Sequence, residues 1–407
     1  MVRGKSPLFV IFITVMIDLI GFGMVIPLVG LYGRHFEASG FQLSLLGGIY
    51  SLMSFLFAPF WGTLSDRWGR RPVILISLVG STTSYVLFAL AQNYEVLLVS
   101  RALGGLFAGN ISAAQAYIAD ITKPSERAKG MGMIGAAFGL GFTLGPPLGG
   151  ISSATLGLSA PGWIAAGICG VNAIVAYFRL PESLPEEKRG LTSSRSLAPL
   201  PIARLKAAAQ HQDLWFLLLF FFMVTFAFSN MEQALSLLLQ SKFDLETGDA
   251  GYKTGLVLMV SGLTGAVIQG GFIRKWAPRF GERRLLMIGL FINLVLMAVY
   301  PFGPTYSSYF ILSFLMAFGT SLINPSITSL TSQAVGASEQ GATLGLSQGL
   351  GSLARALGPL CGLTVFEIWR GAPFWVASLV YALLIFGAVT VWRKAPPPAS
   401  TSRAASV

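Results

Sequence analysis

Four ionisable side chains stand inside otherwise uncharged stretches of this sequence: Asp18, Arg101, Glu232 and Arg355. The run from Gly345 to Leu363 reads GLSQGLGSLARALGPLCGL, and Arg355 is its only charge. A charge at the centre of a bilayer costs roughly 2.5–3.5 kcal/mol on insertion scales, so each of these groups demands a partner or a task. Three kinds of chemistry are open to them. A carboxylate facing an arginine can form a static ion pair that fixes two helices. It can instead exchange that pair for a proton as its surroundings change from dry to wet, as a proton carrier must. The guanidinium can also hold an anionic ligand directly through a two-pronged hydrogen-bonded fork.

The elements that position these groups follow from composition. Of 407 residues, 54% are hydrophobic and only 11% charged, with a mean hydropathy of +0.68. Soluble domains carry about 25% charged residues, so this chain cannot solvate a soluble surface of its size. Uncharged runs of the roughly 17–25 residues that a bilayer-crossing helix needs recur along its length. They predict spans at 8–32, 41–64, 72–92, 96–120, 128–153 and 161–179, then at 213–240, 251–275, 284–303, 307–335, 340–366 and 371–393. The fold class is an all-α membrane protein, with twelve transmembrane helices in two pseudo-symmetric six-helix bundles. The bundles occupy residues 1–190 and 213–407. Residues 191–212 form a polar, proline-broken cytoplasmic linker with a short amphipathic helix on the membrane surface. The first span is too long for a signal-peptide core and has no small-residue cleavage site behind it, so it stays as a mature helix.

The net charge of +11 is a matter of topology rather than of nucleic-acid binding. With both termini cytoplasmic, 22 of the 28 Lys and Arg fall on the cytoplasmic side, four outside (Arg34, Lys242, Lys253, Arg370) and two within spans. The opposite orientation would reverse the positive-inside bias. Cys169 and Cys361 lie in spans of different halves, which supports neither a disulfide framework nor a metal site, and both read as packing residues. His35 and His211 fall in a loop and in the linker, where solvated roles are usual. The aromatic run Leu219–Met223 reads as lipid-facing or packing surface.

Depth along the helices suggests who meets whom. Glu232 lies about 19 residues into span seven and Arg355 about 15 into span eleven, so at about 1.5 Å per residue their depths differ by about 6 Å. Glu232 is the expected partner of Arg355. The same count separates Asp18 from Arg101 by about 8 Å, which makes a direct pair marginal and leaves Arg101 to bond backbone carbonyls. Gly21 and Gly23 follow Asp18 and could let the backbone re-aim it.

The halves also repeat. SERAKGMGMIGAAFGLGFTLGPPLGG (Ser125–Gly150) aligns without gaps to SEQGATLGLSQGLGSLARALGPLCGL (Ser338–Leu363), pairing Glu126 with Glu339 and Gly145-Pro146 with Gly358-Pro359. Duplicated bundles are the mark of a transporter that rocks about a midplane site. Within the first copy, Gly141, Gly145 and Gly149 allow close backbone approach and Pro146 removes an amide donor, which suits either tight packing or a leak-proof hinge between halves. The loop GTLSDRWGRRPVIL places Asp66 among Arg67, Arg70 and Arg71, and span four ends on Asp120 at the same face. These charges predict a cytoplasmic cluster that locks the outward-open state.

Gly62-x-x-x-Asp66-Arg67-x-Gly69-Arg70-Arg71 resembles the signature loop of the major facilitator superfamily, and GGFIRKWAPRFGERR (Gly270–Arg284) is a second copy lacking the acid. DLIGFGMVIPL, RALGGLFAG and GFTLGPPLGG are similar to the first-, fourth- and fifth-helix motifs of twelve-helix drug:proton antiporters. The stretch Phe57–Gly80 resembles tetracycline exporters, yet Ser84, Gly265 and Asn293 stand where those keep an acid, a histidine and an acid. FSNMEQALSLLL and LGSLARALGPL look more like the tetracycline-transporter-like branch that handles organic anions. The resemblance implies proton coupling through Arg101 and a path lined by helices one, four, seven and ten, favouring Asn110 and Asn324 over Gln269 as cavity residues.

These readings converge on a proton-coupled exporter of drug-like amphipathic compounds in a bacterial inner membrane. The alternative is a transporter of a specific organic anion or metabolite anchored on Arg355. No nucleophile–base set, metal-ligand spacing or nucleotide loop suggests an enzyme. The expected partners are a small-molecule substrate, protons and membrane lipid, with no nucleic acid, no cofactor beyond the proton gradient as energy source, and a monomeric state.

Overall fold

The computed structural model describes residues 7–122, 127–189, 210, 212–336 and 340–394. The expected linker at 191–212 lies almost wholly outside them, as do Glu126, Glu339 and His211. Long helices follow one another as α1 (Pro7–His35), α2 (Gly40–Trp68), α3 (Arg70–Ala89), α4 (Tyr94–Ile121), α5 (Arg127–Leu156) and α6 (Ala160–Arg179). The second set is α7 (Gln212–Phe243), α8 (Thr247–Phe272), α9 (Glu282–Phe302), α10 (Tyr306–Gln333), α11 (Gln340–Ile368) and α12 (Ala372–Lys394). Eleven are both long and apolar enough to cross a membrane. The remaining one, α5, has 30 residues and carries two prolines within it.

Local chemistry sets the ends. The Ser39 hydroxyl accepts from the Gln42 amide at 3.4 Å, and the Gln42 side chain accepts from the Ser39 amide at 2.8 Å. That reciprocal box starts α2. Asn93 starts α4 by accepting from the Val96 amide at 2.9 Å. Three helices depart from regular α geometry along their length. A 3-10 turn holds Pro27 in α1 (Ile26–Leu28), a turn at 107–109 splits α4, and a π-helical turn (Ile268–Phe272) leads α8 into Ile273–Phe280. The break in α4 frees the Leu106 carbonyl, which accepts from the Trp61 indole at 2.5 Å.

One end of the bundle, the basic end, carries Arg67, Arg70 and Arg71 beside Arg279, Arg283 and Arg284. The two halves touch mainly at the far end. There a methyl group on Gly48 of α2 would stand 2.6 Å from the Ala356 carbonyl of α11, and one on Gly255 of α8 would stand 2.6 Å from the Pro146 carbonyl of α5. Ser44 and Thr364 share a hydrogen bond at 3.0 Å, and Arg34 meets Glu367 at 3.5 Å. Toward the basic end, Gly62, Gly139, Gly270 and Gly349 have nothing within 4 Å of where a side chain would begin. The halves therefore close at the far end and part toward the basic end, leaving a cavity between them.

Of the two roles expected for the motif of α5, its glycines take that of tight packing. Gly141, Gly145 and Gly149 do not face the other half; they lie against Leu19, Gly23 and Met24 of α1. The contact between halves belongs to the adjacent face of the same helix, where Thr143, Pro146 and Pro147 meet Gly262 and Gly255. α5 continues as a helix through both prolines. A methyl group on Gly145 would lie 2.7 Å from the Gly23 backbone, whereas one on Gly139 meets nothing. Overpacking of this kind costs about 1–3 kcal/mol. Gly145→Ala should therefore lower the thermal unfolding midpoint of the detergent-solubilised protein, and Gly139→Ala should leave it nearly unchanged.

Candidate functional site

Two of the four intramembrane charges sit in the second half. Glu232 on α7 is buried, while Arg355 on α11 is partly exposed. Each lies within electrostatic reach of the other, but the expected ion pair is not formed. Helical side chains lean toward the start of their helix. α11 begins at the basic end, so Arg355 leans away from the deeper Glu232. Its Nη2 donates to Ser352 Oγ at 3.2 Å, and its own carbonyl accepts from Ser229 Oγ at 3.3 Å. Phe221 comes to the same glycine, Gly351, as the Arg355 Nη1. The run at 219–223 thus splits: Leu219 is exposed, Phe220 buried, and Phe221 belongs to the site.

In the first half Asp18 and Arg101 also remain apart. The buried Asp18 carboxylate accepts from the Cys169 thiol at 3.6 Å, with Asn110 and Ser81 beside it. Cys169 is therefore a polar partner rather than an inert packing residue. Asn110 is 1% exposed and lies beside the Asp18 carboxylate, so it belongs to this closed pocket and not to the open cavity. Arg101 does not bond backbone carbonyls as its main contact. Its guanidinium lies 4.9 Å above the Tyr50 ring, and its Nε has no hydrogen-bond partner. A cation over an aromatic face gains about 0.5–2 kcal/mol, more as water is excluded.

Tyr50 was invisible to a search for charges. It sits on α2 just inside the closed contact at Gly47 and Gly48, within electrostatic reach of both Arg101 and Arg355. Its ring lies 4.7 Å from that of Phe22, which lies 6.0 Å from that of Phe142. All three are partly exposed and form an aromatic wall where the halves begin to part. The only sequence signal was a hydroxyl-bearing ring at the middle of a span. On α10, Asn324 is exposed with Thr328, roughly half a turn round from the exposed Ile311 and Leu315, which places it on a different face from those apolar residues. Ser84 and Asn293 are buried, and Asn293 donates to Thr320 at 3.0 Å. Gly265 lies beside Ser321 and Gln269.

The predicted charge cluster is assembled at the basic end, with a different reach. Arg70 contacts Asp66 at 2.6 Å and Asp120 at 2.9 Å, and Glu182 accepts from the Arg70 and Arg71 amides at 2.9 and 3.1 Å. Arg71 donates to the Tyr177 carbonyl at 2.7 Å, and Arg67 is exposed. The members named here all belong to the first half. The pairs are intact while the halves stand apart at this end, so these bonds do not have to break for the cavity to open here. They fasten α2, α3, α4 and the end of α6 together. Glu182 was missed because the residues after span six read only as linker. Among the described residues no group of His, Cys, Asp and Glu could hold a metal ion.

Twelve helices, two halves and a charged midplane are matched by a model of one family, the Major Facilitator Superfamily, over residues 11–359 and 270–406. The chain belongs to the major facilitator superfamily. It is 33% identical over 378 residues to major facilitator superfamily domain-containing protein 10 of Bos taurus, covering 88% of this chain and 80% of that one. It is 27% identical over 395 residues to multidrug resistance protein 2 of Bacillus subtilis, covering 97% of each. Its fold matches the crystal structure of the human organic anion transporter MFSD10 (TETRAN) with a TM-score of 0.71 at 29% identity, covering 94% of this chain and all of that one.

If Tyr50 positions Arg101 through its ring, Tyr50→Phe should transport almost as wild type and Tyr50→Ala should lose about tenfold in transport rate, on the scale of a dehydrated cation–ring contact. Equal losses in both variants, measured in reconstituted vesicles, would assign the effect to the hydroxyl instead.

Proposed function

We propose that this chain is a proton-coupled secondary transporter of amphipathic organic anions, with Arg355 as the anchor for the anionic group. The observation that carries the reading is that Arg355 is partly exposed and, among the described residues, has no ion-pair partner, although Glu232 lies in the same half. An unpaired guanidinium facing a cavity is a fork for carboxylate or sulfonate. The likeness to human MFSD10, an organic anion transporter, supports the same substrate class. Glu232 and Asp18 are buried carboxyls without a cation in contact, so each is fitted to gain and lose a proton as the halves rock. Proton binding at Glu232 and anion binding at Arg355 would be linked through their mutual field.

Export of drug-like compounds in exchange for protons is the second reading. It is favoured by the aromatic wall of Phe22, Tyr50 and Phe142 and by the likeness to the Bacillus subtilis protein. In both readings the basic end faces the cytoplasm of the cell that holds the protein, by the positive-inside bias. The described conformation is then open inward and sealed outward.

Two measurements test this. In vesicles with fluorescein as the probe anion, Arg355→Gln should raise KM about 10–100-fold, the loss of a hydrogen-bonded charge contact, with Arg355→Lys in between. Glu232→Gln should carry fluorescein without responding to an imposed pH gradient. Wild-type behaviour in both variants would leave the proposal without support. For the rocking motion, the 3.0 Å contact of Ser44 with Thr364 gives a direct handle. A Ser44→Cys/Thr364→Cys protein should lose transport on oxidation and regain it with reductant.

A further inference from the structure

Two loops made equivalent by the internal repeat treat their cations differently. Gly69 ends α2 with φ +108° and Gly281 ends the segment after α8 with φ +78°, a turn that glycine makes without strain. Counting from these two glycines, Asp66 corresponds to Pro278, Arg67 to Arg279, Arg70 to Glu282 and Arg71 to Arg283. In the first half the acids Asp66, Asp120 and Glu182 bind the arginines of the loop or their backbone. In the second half the loop's acid, Glu282, accepts from Ser329 at 3.1 Å and from Gln333 at 3.3 Å. Both donors are neutral. Among the described residues, Lys275, Arg279, Arg283 and Arg284 form no ion pair.

These cations are set among aromatic side chains at the end of the membrane-crossing helices. The Arg279 guanidinium lies 5.5 Å over the Phe280 ring and that of Arg283 lies 5.3 Å over the Trp392 ring. Phe272 and Phe280 are exposed, with Trp276 at 5.2 Å from Phe272. The π-helical turn at Ile268–Phe272 leads into the short helix Ile273–Phe280, which carries both apolar and cationic residues. Aromatic rings with an apolar body belong at the boundary between acyl chains and headgroups, and unpaired basic residues there attract anionic lipid.

We propose that this face of the second half is a binding site for an anionic phospholipid, with Lys275, Arg279 and Arg283 on its phosphate and Phe272 and Phe280 along its acyl chains. Free phosphate could use the same cations but would gain nothing from the exposed rings. In the loop of the first half, by contrast, Arg70 is held by two acids, while Arg71 donates to the Tyr177 carbonyl.

Native mass spectrometry of the full-length protein in detergent, with phosphatidylglycerol or phosphatidylcholine added, tests the assignment. Wild type should retain phosphatidylglycerol in preference to phosphatidylcholine, with affinity falling about five-fold for each cation removed in the series Arg279→Gln, Arg283→Gln and Lys275→Gln. Arg279→Lys/Arg283→Lys should keep most of the binding, and an unchanged unfolding midpoint in lipid-free detergent shows that the variants are folded. Equal retention of both lipids by wild type, equal retention of phosphatidylglycerol by the triple variant, or full displacement by millimolar inorganic phosphate would each overturn the proposal.

Discussion

A charge cannot be left in hydrocarbon, and the arrangement of the twelve helices is ordered around that constraint. Asp18, Arg101, Glu232 and Arg355 all lie on helices that other helices cover, and each is answered differently. A thiol and neutral polar groups surround Asp18, a ring underlies Arg101, protein encloses Glu232, and Arg355 turns toward the cavity. None of the four is neutralised by direct pairing. Among the described residues, ion pairs are found instead toward the two ends of the molecule. Paired and unpaired charges are thus separated by depth.

The contacts between halves have a matching logic. At the far end they are backbone against backbone or backbone against proline, at Gly47, Gly48, Gly255 and Gly262. Such surfaces carry few side chains that must change rotamer, so they can meet and separate as rigid faces. α5 serves two surfaces at once, its glycine stripe fixed on α1 and its proline face resting on α8. One face packs within the first half and the other meets the second half.

How much of this was legible beforehand depends on what kind of signal a residue leaves. Hydropathy alone located the spans, because excluding water from about 20 residues leaves a long unbroken record. Asp66, Arg70 and Asp120 were found together because ionic residues at one membrane face have few other partners. The pairing of Glu232 with Arg355 failed because a count of residues gives depth but not the lean of a side chain, and Arg355 leans to Ser352. Tyr50 and Cys169 were overlooked because their role is set by what stands across from them, Arg101 and Asp18, which spacing within one helix does not encode. The two roles open to the glycines of α5 could not be told apart for a related reason: a small-residue stripe announces close approach without naming the neighbour.

The split in α4 at 107–109 carries a mechanical consequence. It separates the segment bearing Arg101 from the one that begins at Asn110 and bears Asp120. Trp61 of α2 spans the gap by taking the loose Leu106 carbonyl, and Arg70 ties the lower segment back to α2 through Asp66 and Asp120. The bend is sealed against lipid by an indole, so it can flex without presenting a bare carbonyl to the bilayer. It is also yoked to its neighbour at two heights: the lower part of α4 swings only if α2 is carried along, like two slats on one pair of pins.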